Sequence, residues 1–222
     1  MAQDGERQIQ MAMPAPARLF TPGVVTLLVL MLAGCILTEV WPAGADALLV
    51  HPGALFGLEL WRLATYPFYC DLFGFIAGGL LMVFLGSALE REWRARSFLL
   101  FCAVVTVACG LIWIAAAALC AAVSTYPWPP GAGTSALAYA LIAAFGMLNR
   151  GRRFMVFFGT MEAQNLAWLM IGLGLLMSIR TPVQMVWVSG AAVAYLYMKL
   201  LWDRSLPFTR RRPRQAGRFE GL

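Results

Sequence analysis

Six apolar runs, separated by short polar or helix-breaking stretches, decide what this chain can become. They extend roughly from Thr21 to Val40, Leu72 to Leu89, Ser97 to Val123, Thr134 to Leu148, Phe154 to Ile179 and Val183 to Leu201. A helix of about 20 apolar residues, rising 1.5 Å per residue, crosses the hydrocarbon of a bilayer, and in hydrocarbon only a helix satisfies its own backbone within one segment. Composition agrees: 61% of the 222 residues are apolar and 13% charged, against about 45–50% and about 25% in soluble domains. The expected fold class is an all-α membrane protein with six transmembrane helices. Water-soluble enzymes, disulfide-framed secreted modules and disordered binders are excluded. The fourth run is short and follows Pro127-Trp128-Pro129-Pro130-Gly131, so its helix is expected to start below the membrane surface, in a protein-lined cavity.

The net charge of +6 would suit nucleic acid if it were gathered on one face, but it is divided among the loops. Arg7 and Arg18 precede the first run, Arg91, Arg94 and Arg96 lie between the second and third, and Arg150, Arg152 and Arg153 lie between the fourth and fifth. Lys199, Arg204, Arg210, Arg211, Arg212, Arg214 and Arg218 close the chain, leaving only Arg62 and Arg180 for the other side. Cytoplasmic loops retain Lys and Arg, so both termini are expected in the cytoplasm, with no nucleic-acid partner and with membrane lipid as the surroundings. A bacterial inner membrane is the expected location. Cleavage of the first run as a signal peptide near Ala43–Ala47 is the competing reading, disfavoured by the length of the run and of the polar segment before it. The domain plan is a cytoplasmic segment at 1–20, a membrane domain at 21–202 and a basic tail at 203–222. That tail reads as a disordered stretch attracted to anionic lipid, with an adaptor-binding role as the alternative.

Within the outer loop between the first two runs, residues 47–69 are too apolar for free solvent and carry Trp61, Tyr66, Phe68 and Tyr69, so they are expected to lie in the outer membrane interface. The cysteines, Cys35, Cys70, Cys102, Cys109 and Cys120, show no metal-ligand spacing and read as small membrane hydrophobes. Neither a phosphate-binding Gly-rich loop nor a cofactor fingerprint occurs, so no cofactor and no metal are expected.

Four stretches, in order, carry a family resemblance. Trp61-Arg62-Leu63-Ala64-Thr65-Tyr66-Pro67-Phe68 is followed by Gly86-Ser87-Ala88-Leu89-Glu90 with Trp93, Arg96 and Phe98. Gly133-Thr134-Ser135-Ala136 opens the fourth run, with Ala144-Phe145-Gly146 downstream, and Gly190 and Ala194 precede Tyr195-Leu196-Tyr197-Met198-Lys199-Leu200. Together they resemble the rhomboids, the intramembrane serine proteases, over residues 20 to 202. The resemblance implies a six-helix rhomboid-like bundle in which Trp61, Arg62, Glu90, Gly133, Gly190 and Ala194 are structural and Ser135 holds the nucleophile position.

The same resemblance implies that the chemistry is incomplete. Serine needs a positioned base to take its proton. The family pattern anchored on Gly190 and Ala194 puts that base at Trp187, whose indole is a donor with no basic nitrogen. The oxyanion positions of the second span fall on Gly74 and Gly78, which carry no side-chain donor, and a further recurrent histidine position is Cys70. Substitutes are badly placed. His51, the single histidine, is in the outer loop, Lys199 lies about 18 Å down the helix from Trp187 at 1.5 Å per residue, and Glu162 sits on the cytoplasmic side beside the arginines at 150–153. Ser135 also has a plain structural reading as a helix N-cap beside small residues that permit close packing. Three functions stay open here, the first two being a rhomboid-like pseudoprotease that binds transmembrane segments of other proteins, as derlins are thought to do, and an active intramembrane serine endopeptidase with a non-standard base. A structural or lipid-perturbing protein without clients is the third.

Overall fold

A computed structural model describes residues 20–51, 59–123, 128–149, 153–156, 159–179 and 182–202. The N-terminal segment, the basic tail and the arginines at 150 and 152 lie outside the described residues. Helix α1 (Pro22–Val40) begins with a proline at its first turn, where the missing N–H costs nothing. Val24, Leu27, Met31, Gly34 and Cys35 form its buried seam, while Val25, Val29, Leu30, Leu32 and Ile36 are exposed. A helix apolar on every side suits lipid on its outward faces.

By length and hydropathy, two helical tracts could cross a membrane, Pro22–Val40 and the 51 residues Leu72–Ala122; Ser135–Leu148, Ala163–Ser178 and Met185–Leu200 are apolar but shorter. The 51-residue tract is not one rod. Leu72–Leu81 continues through a π-helical turn at Met82–Gly86 into Ser87–Val123, where Arg94 adopts φ 68°, ψ 156°. In a continuous helix Gly86 and Phe98 would be about 18 Å apart along the axis. A Cβ on Gly86 would instead lie 3.1 Å from the Phe98 ring, and Trp93 packs edge-on against Phe101 at 5.1 Å. The chain therefore folds back at Arg94 into two arms, α2 (residues 72–93) and α3 (residues 95–123). The α2 helix thus runs about a turn past the end expected at Leu89, and the basic residues sit at the bend.

Helices α4 (Ser135–Leu148), α5 (Ala163–Ser178) and α6 (Pro182–Trp202) complete the bundle. Helix α4 lies at its centre and packs most extensively against α6, burying Ala136, Leu137, Ala140, Leu141, Ala143 and Ala144. Small side chains on this face let the neighbouring backbones approach. The fold class is helical, as expected, with one local correction. The fifth apolar run does not begin as helix at Phe154: Arg153–Val156 and Gly159–Glu162 form an antiparallel hairpin, and α5 starts only at Ala163. Phe, Val and Thr suit a pleated pair better than a helix end. The outer loop is folded as well. It folds into short helical turns at Pro42–Ala45, Asp46–Leu48, Arg62–Thr65 and Tyr66–Phe68, with Leu63 and Tyr66 buried against α3.

Candidate functional site

The segment leading into α4 is held from three directions. Val50 and Gly131 exchange backbone hydrogen bonds of 3.0 and 2.8 Å. Gly133 takes φ +88°, a conformation that favours glycine, and its N–H donates to the Tyr66 carbonyl at 3.1 Å. These contacts fix where the first turn of α4 presents Ser135.

Ser135 is the first helical residue of α4, is exposed, and makes no hydrogen bond through its hydroxyl among the described residues. The N-cap position expected of it belongs to Thr134, whose side chain makes no cap bond. Across from this turn, Gly190 packs directly on the Ala136 backbone carbonyl, so close that any Cβ at 190 would overlap it. Ala194, one turn further along α6, is fully buried. One turn before Gly190 stands Trp187, about 4.5 Å away along the axis, in the segment beside Ser135. Its indole stacks on the Tyr66 ring with centroids 6.1 Å apart and planes 24° from parallel. An aromatic stack thus fills the place where the resemblance expects a base.

Gly78 of α2 also reaches this corner. A Cβ there would come within 2.7 Å of the Thr134 hydroxyl oxygen and 3.0 Å of the Met31 methyl, so the position faces the start of α4 but has no room for a donor side chain. Gly74 plays a different part. Its N–H donates to Asp71 Oδ1 at 2.8 Å, closing the N-cap of α2. His51 adjoins Val50 in the outer loop, Lys199 is exposed near the far end of α6, and Glu162 is the N-cap of α5, opposite Arg153 in the hairpin register. None of them hydrogen-bonds to Ser135 among the described residues. Among the described residues, no group of three His, Cys, Asp or Glu is placed to share a metal ion.

The remaining motif residues hold the scaffold. Trp61 points outward, 55% exposed. Arg62 turns inward and donates from Nε to Glu59 at 2.5 Å and from one terminal nitrogen to the carbonyls of Asp46 and Leu49 at 2.6 and 3.0 Å, joining both ends of the outer loop. Glu90 is 4% exposed and reaches the start of α1. It accepts from the Thr21 hydroxyl at 2.5 Å and from the Gly23 and Val24 N–H groups at 2.8 Å each. Its carboxylate thereby satisfies donors that a helix N-terminus leaves free, with charge favourable to the helix dipole.

Tyr66 is the residue that sequence reading undervalued. Expected in the interface, it is 1% exposed, and its hydroxyl donates to the Thr106 carbonyl of α3 at 3.1 Å. Burial, with Cys109 adding to it, pushes the phenol well above its ordinary range and keeps it a neutral donor. The available signal was its position inside the Trp-Arg motif, four residues past Arg62.

No curated protein matches the chain as a relative. The family description that does match is of eukaryotic proteins, which weighs against the bacterial inner membrane expected from the sequence. Residues 23–210, nearly the whole described bundle, match the family described as eukaryotic integral membrane protein (DUF1751), and the chain belongs to that integral membrane family.

Proposed function

We propose that this protein is a six-span, rhomboid-like membrane protein, with both termini in the cytoplasm, that holds transmembrane segments of other proteins without cleaving them. The two arms that meet at Arg94 turn the long helical tract into two apolar helices. With α1, α4, α5 and α6 they correspond to the six apolar runs, and six spans would put the loops rich in Lys and Arg on one side, with Arg62 and Arg180 on the other. The observation that carries the absence of proteolysis is the corner at α4. Gly190 seats α6 on the Ala136 backbone while Trp187, stacked on Tyr66, takes the place of a base. Acid–base catalysis by a positioned side chain contributes about 10²–10⁴ in rate and one oxyanion donor about 10²–10³. Gly78 and Gly74 supply no side-chain donor, so both contributions are missing together.

The test uses the full chain in lipid nanodiscs. A fluorophosphonate probe should label it no more than it labels Ser135→Ala, and a labelled single-span peptide should associate saturably and stay intact. Trp187→His alone should restore little labelling. Ser135-dependent labelling, or peptide cleavage lost in Ser135→Ala, would establish the endopeptidase instead. Absence of any saturable peptide association would favour a structural role without clients.

A further inference from the structure

Two cysteines meet where α1 packs against the end of the outer loop. Cys35 lies near the C-terminal end of α1 and Cys70 immediately precedes Asp71, the N-cap of α2; they are 4% and 6% exposed. Backbone geometry brings them together. Gly34 lacks the side chain that would collide with the Phe68 carbonyl, so the turn at Tyr66–Phe68 rests on the helix itself. Two residues later the Cys70 sulfur lies 3.8 Å from the carbonyl oxygen of Met31. That carbonyl is one helical turn before Cys35 and is its i−4 partner along α1. Burial raises the Cys70 thiol pKa to about 11, and the nearness of Cys35 adds to the rise. Cys109, by contrast, is fully buried in the core of the bundle.

We propose that Cys35 and Cys70 are a redox pair that closes to a disulfide on the extracytoplasmic side, stapling the outer end of α1 to the start of α2. The side rests on the six-span orientation above. Extracytoplasmic compartments are oxidising and allow such bonds to persist. The step is a dithiol–disulfide exchange. One thiol, as thiolate, attacks a disulfide of an oxidised small molecule or oxidoreductase, and the second thiolate then displaces it from the mixed disulfide. Two S–H bonds become one S–S bond, and the two electrons with the two protons pass, by way of solvent for the protons, to the acceptor disulfide, which becomes two thiols. The product closes the outer loop into a covalent ring around Arg62 and Tyr66, the residues that position the lead-in to α4.

The decisive experiment treats the purified full chain with oxidised glutathione or copper–phenanthroline and maps its cysteines by mass spectrometry after alkylation. The expected product is a Cys35–Cys70 linked peptide that is lost in Cys35→Ala and in Cys70→Ala and retained in Cys102→Ala. Its thermal midpoint should fall on reduction, and that fall should be absent in Cys35→Ala. Two free, alkylatable thiols after oxidation of the folded protein overturn the pairing and leave the orientation untouched. A second arm traps thiols by alkylation in intact cells. Linkage there is expected; a pair that closes in vitro yet is reduced in cells overturns its closure in place. Cysteine labelling of a variant carrying a reporter cysteine at position 152 reports the orientation separately, so the two failures can be told apart.

Discussion

Replacing Glu90 tests a buried carboxylate that ties the end of α2 to the start of α1, 69 residues away in the chain at Thr21. Its carboxylate receives two backbone N–H groups and one hydroxyl from the start of α1. A hydrogen bond to a charged group is worth about 1.5–3 kcal/mol, and a buried donor left without a partner costs about 1–3 kcal/mol. Glu90→Ala strands the N–H groups of Gly23 and Val24, and Val24 is fully buried, so a loss of about 3–5 kcal/mol is expected. Glu90→Gln keeps one accepting oxygen but turns an NH₂ toward a donor and gives up the charge at the helix N-terminus, for about 2–4 kcal/mol. Exposed Glu92 is the control, and Glu92→Gln should stay within about 0.5 kcal/mol. Gly23 supplies a second arm, because an added Cβ would lie 2.8 Å from a Glu90 oxygen. Gly23→Ala alone should cost about 1–3 kcal/mol, and the double variant Gly23→Ala with Glu90→Ala should cost less than the sum, since the crowded carboxylate is gone. The assay is equilibrium unfolding in mixed micelles, following tryptophan fluorescence and helicity as sodium dodecyl sulfate replaces a mild detergent. A loss below about 1 kcal/mol for Glu90→Gln, or strict additivity with Gly23→Ala, would refute the capping account.

Further outcomes follow from the same contacts. Arg62→Ala removes the bonds that join Asp46, Leu49 and Glu59 and should lower stability in the same assay by about 1–3 kcal/mol; Arg62→Lys should recover only part, because an ammonium lacks the planar fork. Gly190→Leu forces a side chain into the Ala136 carbonyl and should cost about 1–3 kcal/mol or prevent assembly, scored by unfolding and by recovery of monodisperse protein. In the reduced protein, the Cys70 thiol is pushed up to about 11 by burial first and then by Cys35 and Asp71. A raised thiol pKa makes thiolate scarce at neutral pH, so maleimide alkylation of Cys70 should keep rising with pH toward about 11, and a plateau near pH 9 would contradict it. A reporter cysteine at position 152 should resist impermeant reagents added from outside, whereas labelling from outside would reverse the orientation.

The helices were legible because their physics is written in contiguous residues. Pro22 and Val40 bound α1 as the apolar run suggested, and the lone short run became α4 from Ser135 to Leu148. The break at Arg94 was harder to place, since helix-favouring residues flank it and only the return of Phe98 and Phe101 onto α2 reveals the turn. The hairpin at Arg153–Glu162 was hidden for a related reason: a short apolar stretch carries no period that separates a strand from a helix end. At the site, the absences were readable, because Gly74, Gly78 and Trp187 are what they are in any fold. The positive contacts were not. That Tyr66 would stack on Trp187 and donate to Thr106, that Glu90 would cap α1, and that Gly190 would sit on Ala136 are pairings between distant segments, fixed by tertiary packing.

Those pairings also show what holds the corner around the indole at position 187. The lead-in to α4 depends on the Tyr66 carbonyl, the positive φ of Gly133 and the bare backbone at Gly190. None of these atoms accepts a proton from Ser135 or responds to the identity of a base. The atoms that hold the corner and the atoms that would do chemistry there are separate sets, so the second set can be lost without disturbing the first. A histidine would gain less from the Tyr66 ring than the larger indole, whose stack adds about 0.5–1.5 kcal/mol beyond buried area. Trp187 therefore reinforces the outer-loop contact through its stack on Tyr66, and under the function proposed above stability and catalysis at this position would be opposed.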